Sequence, residues 1–206
     1  MLFRSLDSYV PERRPIGIRN VNEAGDMRAD FDTQIPTSAL LEEYSEEGNR
    51  LREQAREAIL RTRAKEFQHD SAGIELGYRY DSSPICVPDG TPPPPEDHAN
   101  YVSTTRPGAR APHLWLRAGR STLDLFGRGF ALLVLSSKIT DTSAFTSAAE
   151  KVRLPLKVVT LNEPGVREMY ERPLVLVRPD GHVAWRGNSV PVNAADIIEH
   201  VRGARP

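Results

Sequence analysis

Residues 172–187, RPLVLVRPDGHVAWRG, decide the fold. Leu174 to Val177 and Val183 to Trp185 are runs of β-branched or bulky apolar residues, the side chains that fit a pleated, half-buried surface. Between them stands Pro179-Asp180-Gly181, where proline presets φ and glycine accepts φ > 0. The stretch therefore reads as a β-hairpin with a bulged turn at Gly181. Pro173 directly precedes the first strand, and a closing helix follows the second, with Ile197, Ile198 and Val201 at helical spacing.

Upstream of the hairpin, His113 to Leu116, Thr122 to Phe126, Phe130 to Leu135 and Leu156 to Leu161 read as strands, and Thr142 to Val152 and Val192 to Val201 as helices. Two strands flanking one helix make a βαβ unit, which predicts a parallel pair with a right-handed crossover. With the hairpin and last helix added, the order is that of a thioredoxin-like domain. In a redox-active domain of that kind a CxxC opens the helix after Phe130 to Leu135; here the place reads SSKITDTSAF, so thiol-disulfide chemistry is excluded there. Pro173 falls where such folds carry a cis proline, and its expected role is structural, a fixed entry into the strand.

The 206 residues, 39% hydrophobic and 27% charged, are enough for one or two domains with a real core. Lys+Arg 27 against Asp+Glu 28 gives a formal charge of -1, with no dense basic stripe, which argues against nucleic acid or an anionic membrane as partner. A lone cysteine, Cys86, excludes an intrachain disulfide and any CxxC zinc or redox motif, in keeping with a cytoplasmic setting. The longest apolar run, Phe130 to Leu135, is too short for a membrane span, and the N-terminal residues lack a signal-peptide core.

Ahead of this domain the chain divides at 1–70 and 71–112, with the thioredoxin-like domain at 113–206. Leu2 to Tyr9 read as the last turns of a helix, which Pro11 and Pro15 are expected to stop or kink. Ile16 to Pro36 is mixed and polar. From Thr37 or Ser38 as N-cap, Leu40, Leu41, Tyr44, Leu51, Ala55, Ala58 and Ile59 recur at helical spacing, with Glu46/Arg50 and Glu57/Arg61 pairs. One long amphipathic helix to about Phe67, weakened at Gly48, is the expectation, packed against another helix or domain. Pro92 to Pro95 force an extended stretch, so 71–112 reads as an extended, Pro-rich linker.

Few residues invite chemistry. Gly127-Arg128-Gly129 lacks the third glycine of GxGxxG, Leu132 standing in its place, and a strand follows instead of the helix a phosphate cradle needs. It reads as a turn. The five histidines, His69, His98, His113, His182 and His200, have no metal-ligand spacing, and His182 reads as a solvent-facing or strand-pairing residue. Tyr78 and Tyr80 alternate around Arg79 and share a face, where packing is favoured over ligand contact.

Five segments carry a resemblance: LDSYVPERRPIGIRN (Leu6 to Asn20), GIELGYRYDSSPI (Gly73 to Ile85), RPGARAPHLWL (Arg106 to Leu116), STLDLFGRGFALL (Ser121 to Leu133) and LVLVRPDGHVAWRG (Leu174 to Gly187). In this order the chain resembles the C-terminal part of bacterial FAD-dependent aromatic-ring hydroxylases, of the chlorophenol monooxygenase and polyketide hydroxylase type. The resemblance implies a redox-inactive thioredoxin-like domain, preceded in the parent enzymes by an FAD domain and a substrate domain. It implies FAD and NAD(P)H as cofactors of a reaction that inserts one oxygen atom into a phenolic ring. The flavin domain's motifs do not occur in this sequence, so the chain alone is expected to bind neither cofactor and to be inactive. Its expected partner is a flavin-binding N-terminal half, in the same or a separate chain. Tyr9, Arg13 and Arg14 are the candidate contacts to that half; Pro173, Asp180 and Gly181 are structural candidates, and no catalytic or metal-binding residue is identified. A stand-alone assembly or homodimerisation module, using the long helix, is the alternative.

Overall fold

The computed structural model describes residues 6–64 and 71–204. At its centre is a four-stranded sheet of order β2-β1-β3-β4, formed by β1 (Phe130–Val134), β2 (Leu156–Thr160), β3 (Leu174–Val177) and β4 (Val183–Gly187). β1 and β2 run parallel, Phe130 opposite Leu156, and β1 pairs antiparallel with β3, Leu132 opposite Leu176. The hairpin β3–β4 is antiparallel with a register shift between Leu176 and Val177. All four strands and the hairpin fall where the sequence placed them.

β1 and β3 are buried on both faces, which is why they read as unbroken apolar runs rather than alternating ones. Phe130, Leu132, Val134, Leu174 and Leu176 face the helices α4 (Ser143–Lys151) and α6 (Ala194–Val201), where Phe145 and Trp185 pack with ring centroids 5.2 Å apart. Ala131, Leu133, Val175 and Val177 face a second cluster built on Leu116, Leu125, Val166 and Tyr170. Val166 belongs to a single helical turn, α5 (Val166–Met169), too short to register as a helix in the sequence.

Three expectations need correction. Thr122 to Phe126 is a 3-10 turn (Thr122–Leu125), because Ser121 and Asp124 form a reciprocal capping box that holds the chain helical. His113 to Leu116 forms only an isolated bridge, Trp115 to Ser121, in place of a strand. The third concerns the N-terminal third.

There the first helix, α1 (Tyr9–Gln34), runs through both prolines and through the stretch read as mixed and polar. Pro11 sits in its first turn, where an amide hydrogen has no partner in the helix anyway, and the one bond lost at Pro15 is outweighed by anchors along the helix. Those anchors are Glu12 to Arg178, Arg19 Nη2 donating to the Ile74 carbonyl at 2.7 Å, and Glu23 with His98 at 3.0 Å. Residues 2–5 of the helix end expected at Leu2 to Tyr9 lie outside the described residues.

The long helix expected from Ser38 to Phe67 is two pieces. Ser38 caps a 3-10 turn (Ala39–Glu42), and Ser45 opens α2 (Glu46–Ala64) by accepting from the Gly48 amide at 3.1 Å. Gly48 is where the pieces touch: a Cβ there would stand 2.3 Å from the Glu43 carbonyl oxygen. The ion pairs that form on α2 are Glu47–Arg50 and Glu53–Arg56, one residue closer than the i,i+4 spacing expected. Residues 65–67 lie outside the described residues.

The stretch read as a linker is held against the sheet. Beyond one turn, α3 (Ala72–Glu75), it has neither helix nor strand, and Pro92, Pro93 and Pro95 are exposed as an extended spacer should be. Its flanks, however, cover the outer edge of β4: Val87 N donates to Ala184 O, Gly108 N to Val183 O and Val183 N to Ala109 O, each at 2.8 Å. An open sheet edge is thereby removed.

Candidate functional site

The hairpin turn organises the one dense polar cluster that reaches across the chain. Gly181 has φ +83, its amide donates to the Arg178 carbonyl at 3.0 Å, and Arg178 N donates to His182 O at 2.8 Å. That is a type I turn closed by a glycine bulge, as the Pro-Asp-Gly triplet dictates. Asp180 accepts from His182 N at 3.2 Å and from Arg178 Nη2 at 2.8 Å, so the turn fixes the arginine beside it.

Arg178 then grips α1. Its Nη1 and Nη2 donate to Glu12 Oε1 and Oε2 at 2.6 and 3.0 Å, a bidentate pair whose side chains are only 8% and 5% exposed. Ser83 Oγ donates to Glu12 Oε1 at 2.5 Å, and Arg178 Nη1 lies 3.6 Å from Cys86 Sγ. Over this pair lies Tyr80, stacked on His182 with centroids 4.4 Å apart and flanked by the guanidinium groups of Arg13 and Arg178, each 5.6 Å from its ring centre.

Burial works to lower the Arg178 pKa, but the hydrogen bonds it donates to Glu12 and the charge of Asp180 outweigh it and raise it, so this cation is permanent. Burial likewise pulls the Asp180 carboxyl upward; the neighbouring His182 and Arg178 win and hold it at about 2. Burial pushes the Cys86 thiol up, which makes it a packed thiol instead of a nucleophile. A second buried arginine, Arg186, does comparable work on β4. It bonds Asp89 at 2.6 Å, Thr91 at 3.0 Å and Thr105 at 3.1 Å, and pairs with Glu171, tying the loops to the sheet.

The consequence for α1 is an inverted helix. Ser8, Glu12, Ile16, Arg19 and Glu23 face the rest of the protein, a largely polar stripe satisfied by the bonds above. The other face carries Val10, Ile18 and Val21, which are 61%, 50% and 71% exposed, around Arg14. Val10, Pro11, Arg14, Pro15, Ile18, Arg19 and Asn22 line an open groove of about 600 Å³ on that side. A helix that buries charge and exposes aliphatic side chains is arranged for a surface to cover it.

Of the candidate contacts, Tyr9 is 64% exposed, Arg14 lies in the groove, and Arg13, also exposed, sets its guanidinium over the Tyr80 ring. Tyr9 and Arg13, four residues apart, share one side of α1, and Arg14 lies on another. Pro173 is buried, with its carbonyl accepting from Leu135 N at 2.8 Å, and no cis peptide bond occurs among the described residues. Gly127-Arg128-Gly129 leads into β1, and a Cβ on Gly129 would meet Pro155 O at 2.7 Å, so this glycine serves close packing and not a phosphate. His182, expected at the surface or pairing strands, bridges Arg110 through the backbone and is buried. Glu12, Ser83, Arg178 and Arg186 went unnoticed in the sequence. Glu12 and Arg178 lie 166 residues apart, and nothing local marks either as buried.

By fold and site this is a mixed α/β domain with a helix clasped to its hairpin. Residues 104–204 match the family model described as aromatic-ring hydroxylase, C-terminal. The chain is 38% identical over 199 residues to the FAD-dependent monooxygenase apdD of Emericella nidulans, covering 90% of this chain and 31% of that protein. It is 34% identical to the 2,4-dichlorophenol 6-monooxygenase of Delftia acidovorans, over 88% of this chain and 36% of that enzyme. The structure of the rebeccamycin biosynthetic enzyme RebC with reduced flavin superposes with a TM-score of 0.80 at 38% identity, over 97% of this chain and 36% of that one. The chain is similar to the C-terminal part of FAD-dependent aromatic-ring hydroxylases. It spans about a third of the length of the curated relatives it matches. Among the described residues, no helix is long and apolar enough to cross a membrane and no cluster is arranged to hold a metal.

Proposed function

We propose that this chain serves as the C-terminal portion of an FAD- and NAD(P)H-dependent monooxygenase of phenolic or polyketide aromatic rings, and that it works by presenting α1 to a flavin-binding region. The observation that carries the reading is the inverted helix: Glu12 and Arg178 fix α1 with Val10, Ile18 and Val21 outward. Arg14 lies on that face and Tyr9 is exposed at the start of the helix, and these two are the proposed interdomain contacts; Arg13, also exposed, lies over Tyr80. Flavin, when bound by the partner region, supplies the oxygen chemistry; the residues of this chain orient and brace. We assign the chain no catalytic residue and no cofactor of its own, which is consistent with a glycine pair, Gly127 and Gly129, that fits packing rather than phosphate.

The same reading takes the domain as thioredoxin-like and redox-inactive. The order β2-β1-β3-β4, the parallel β1–β2 pair and the closing α6 support it, as does the position of Cys86 beside Arg178, away from the turn that opens α4. The division at 70 and 112 belongs to this proposal, with the middle part a strap pinned to β4. A second reading, homodimerisation through α2 and the residues just before it, draws on Tyr44, Ile59 and Leu60, which are 105%, 38% and 49% exposed.

The test is association with the remaining part of a matched relative, such as the dichlorophenol monooxygenase, by co-purification. Ile18→Asp and Val21→Asp are expected to abolish it while Ile59→Asp leaves it intact. The reverse pattern, with a dimer of this chain lost on Ile59→Asp, favours the assembly module.

A further inference from the structure

A cavity of about 460 Å³ opens at the tip of the hairpin, remote in sequence from the α1 groove and lined by Tyr78, Arg110, Leu123, Phe126, Gly127 and residues 179–182. That volume lies within the range of small-molecule sites, and its walls come from four separate segments of chain. Two features separate it from an ordinary surface dent. Arg110 is half-buried and, among the described residues, its guanidinium has neither a carboxylate partner nor a side-chain hydrogen bond, unlike Arg178 and Arg186, which are saturated. His182 is 3% exposed in its side chain, yet among the described residues neither Nδ1, 3.5 Å from Asp180 Oδ1, nor Nε2 has a hydrogen-bond partner. Buried polar groups left in this way call for an explanation.

We infer that this cavity is a binding site for a planar aromatic anion. Tyr78 and Phe126 supply aromatic lining, Leu123 and Pro179 apolar lining, and Arg110 the cation without a carboxylate partner. A guanidinium favours a carboxylate or phenolate, which it can meet in a bidentate fashion. Asp180, the acid in the lining, holds its oxygens on Arg178 Nη2 at 2.8 Å and the His182 amide at 3.2 Å but shares that arginine with Glu12, so attraction for an anion rests on Arg110. The site needs no flavin region and stands independently of the function proposed above.

The test is titration of the full chain with 1-naphthoate, followed by amide chemical shifts, with 1-naphthylmethylammonium and cyclohexanecarboxylate as controls. Saturable shifts clustered at Arg110, 123–127 and 179–182 are expected for naphthoate, with affinity falling about tenfold or more in Arg110→Gln, the loss of one charged hydrogen-bonding partner. Arg110→Lys, which keeps the charge but loses the two-pronged geometry, is expected to bind more tightly than Arg110→Gln and more weakly than the parent chain. Equal binding of the ammonium overturns the assignment of an anion, and equal binding of the cyclohexane acid overturns the aromatic one. Absence of saturable shifts at these residues, or naphthoate binding unchanged in Arg110→Gln, overturns the site itself.

Discussion

Replacing Glu12 with Gln removes the charge that holds α1 to the hairpin and nothing else of size. Glu12 and Arg178 are 5% and 8% exposed and doubly bonded, and breaking such a buried pair from one side costs about 3–5 kcal/mol. Two features reduce that here: Arg178 keeps Asp180 at 2.8 Å, and glutamine keeps an acceptor for Ser83. The expected loss is therefore about 2–3 kcal/mol, below the range for a bare buried charge. For a chain of this size that lowers the melting temperature by roughly 4–12 °C. Arg178→Met, which strands the Glu12 carboxylate with Ser83 alone, is expected to cost more, about 3–5 kcal/mol. The double variant removes both charges and should recover about 2 kcal/mol against the sum. Urea unfolding by circular dichroism gives the four free energies. Trypsin gives a local reading, because Arg13 and Arg19 become cleavable when α1 lifts away, the Arg14–Pro15 bond being resistant. Single variants that add within about 0.5 kcal/mol, with unchanged cleavage, would refute the clasp.

Acid should weaken the hairpin in a defined window. The Asp180 carboxyl is held down to about 2, so its contribution is complete above its unfolded value of about 3.9 and is lost as pH falls through about 2. Asp180→Asn should flatten the stability curve between those limits, and an unaltered slope in that variant would count against the assignment. Gly181→Ala, at φ +83 with open space around the glycine, should cost about 1–2 kcal/mol from backbone strain alone, read from the urea midpoint. Tyr170→Phe removes the hydroxyl that donates to Pro112 O at 2.7 Å in a buried setting and should cost about 1 kcal/mol in the same measurement. Ile18→Asp, on the exposed face of α1, should change stability by no more than about 0.5 kcal/mol in the isolated chain.

The parts legible in the sequence are those whose information is local. The strands β1 and β3 announce themselves because both faces are buried, and Pro179-Asp180-Gly181 allows little other than a turn. Where tertiary contacts decide, the sequence misleads. Pro11 and Pro15 argue against a helix that Glu12, Arg19 and Glu23 nonetheless hold in place from outside. Thr122 to Phe126 has strand-forming residues, but the capping box of Ser121 and Asp124 overrides them. The clasp is the extreme case: its two charges meet across 166 residues, and a buried Glu12 cannot be told from its exposed neighbours Arg13 and Arg14 by type alone. The Tyr78 and Tyr80 alternation was the nearest signal, since it marks a face that packs on His182.

The central claim, that this chain braces a flavin-binding region rather than carrying chemistry itself, is tested most directly by the visible absorption spectrum after incubation with FAD and removal of free cofactor. The measurement is made on the chain alone and on the chain mixed with the remaining part of a matched hydroxylase. The account predicts no retained flavin on the chain alone, and phenol-dependent NAD(P)H oxidation that appears, or rises severalfold, only in the mixture and fails with Ile18→Asp. Flavin retained by the chain alone, or oxidation by the other part that is indifferent to its presence, would contradict it.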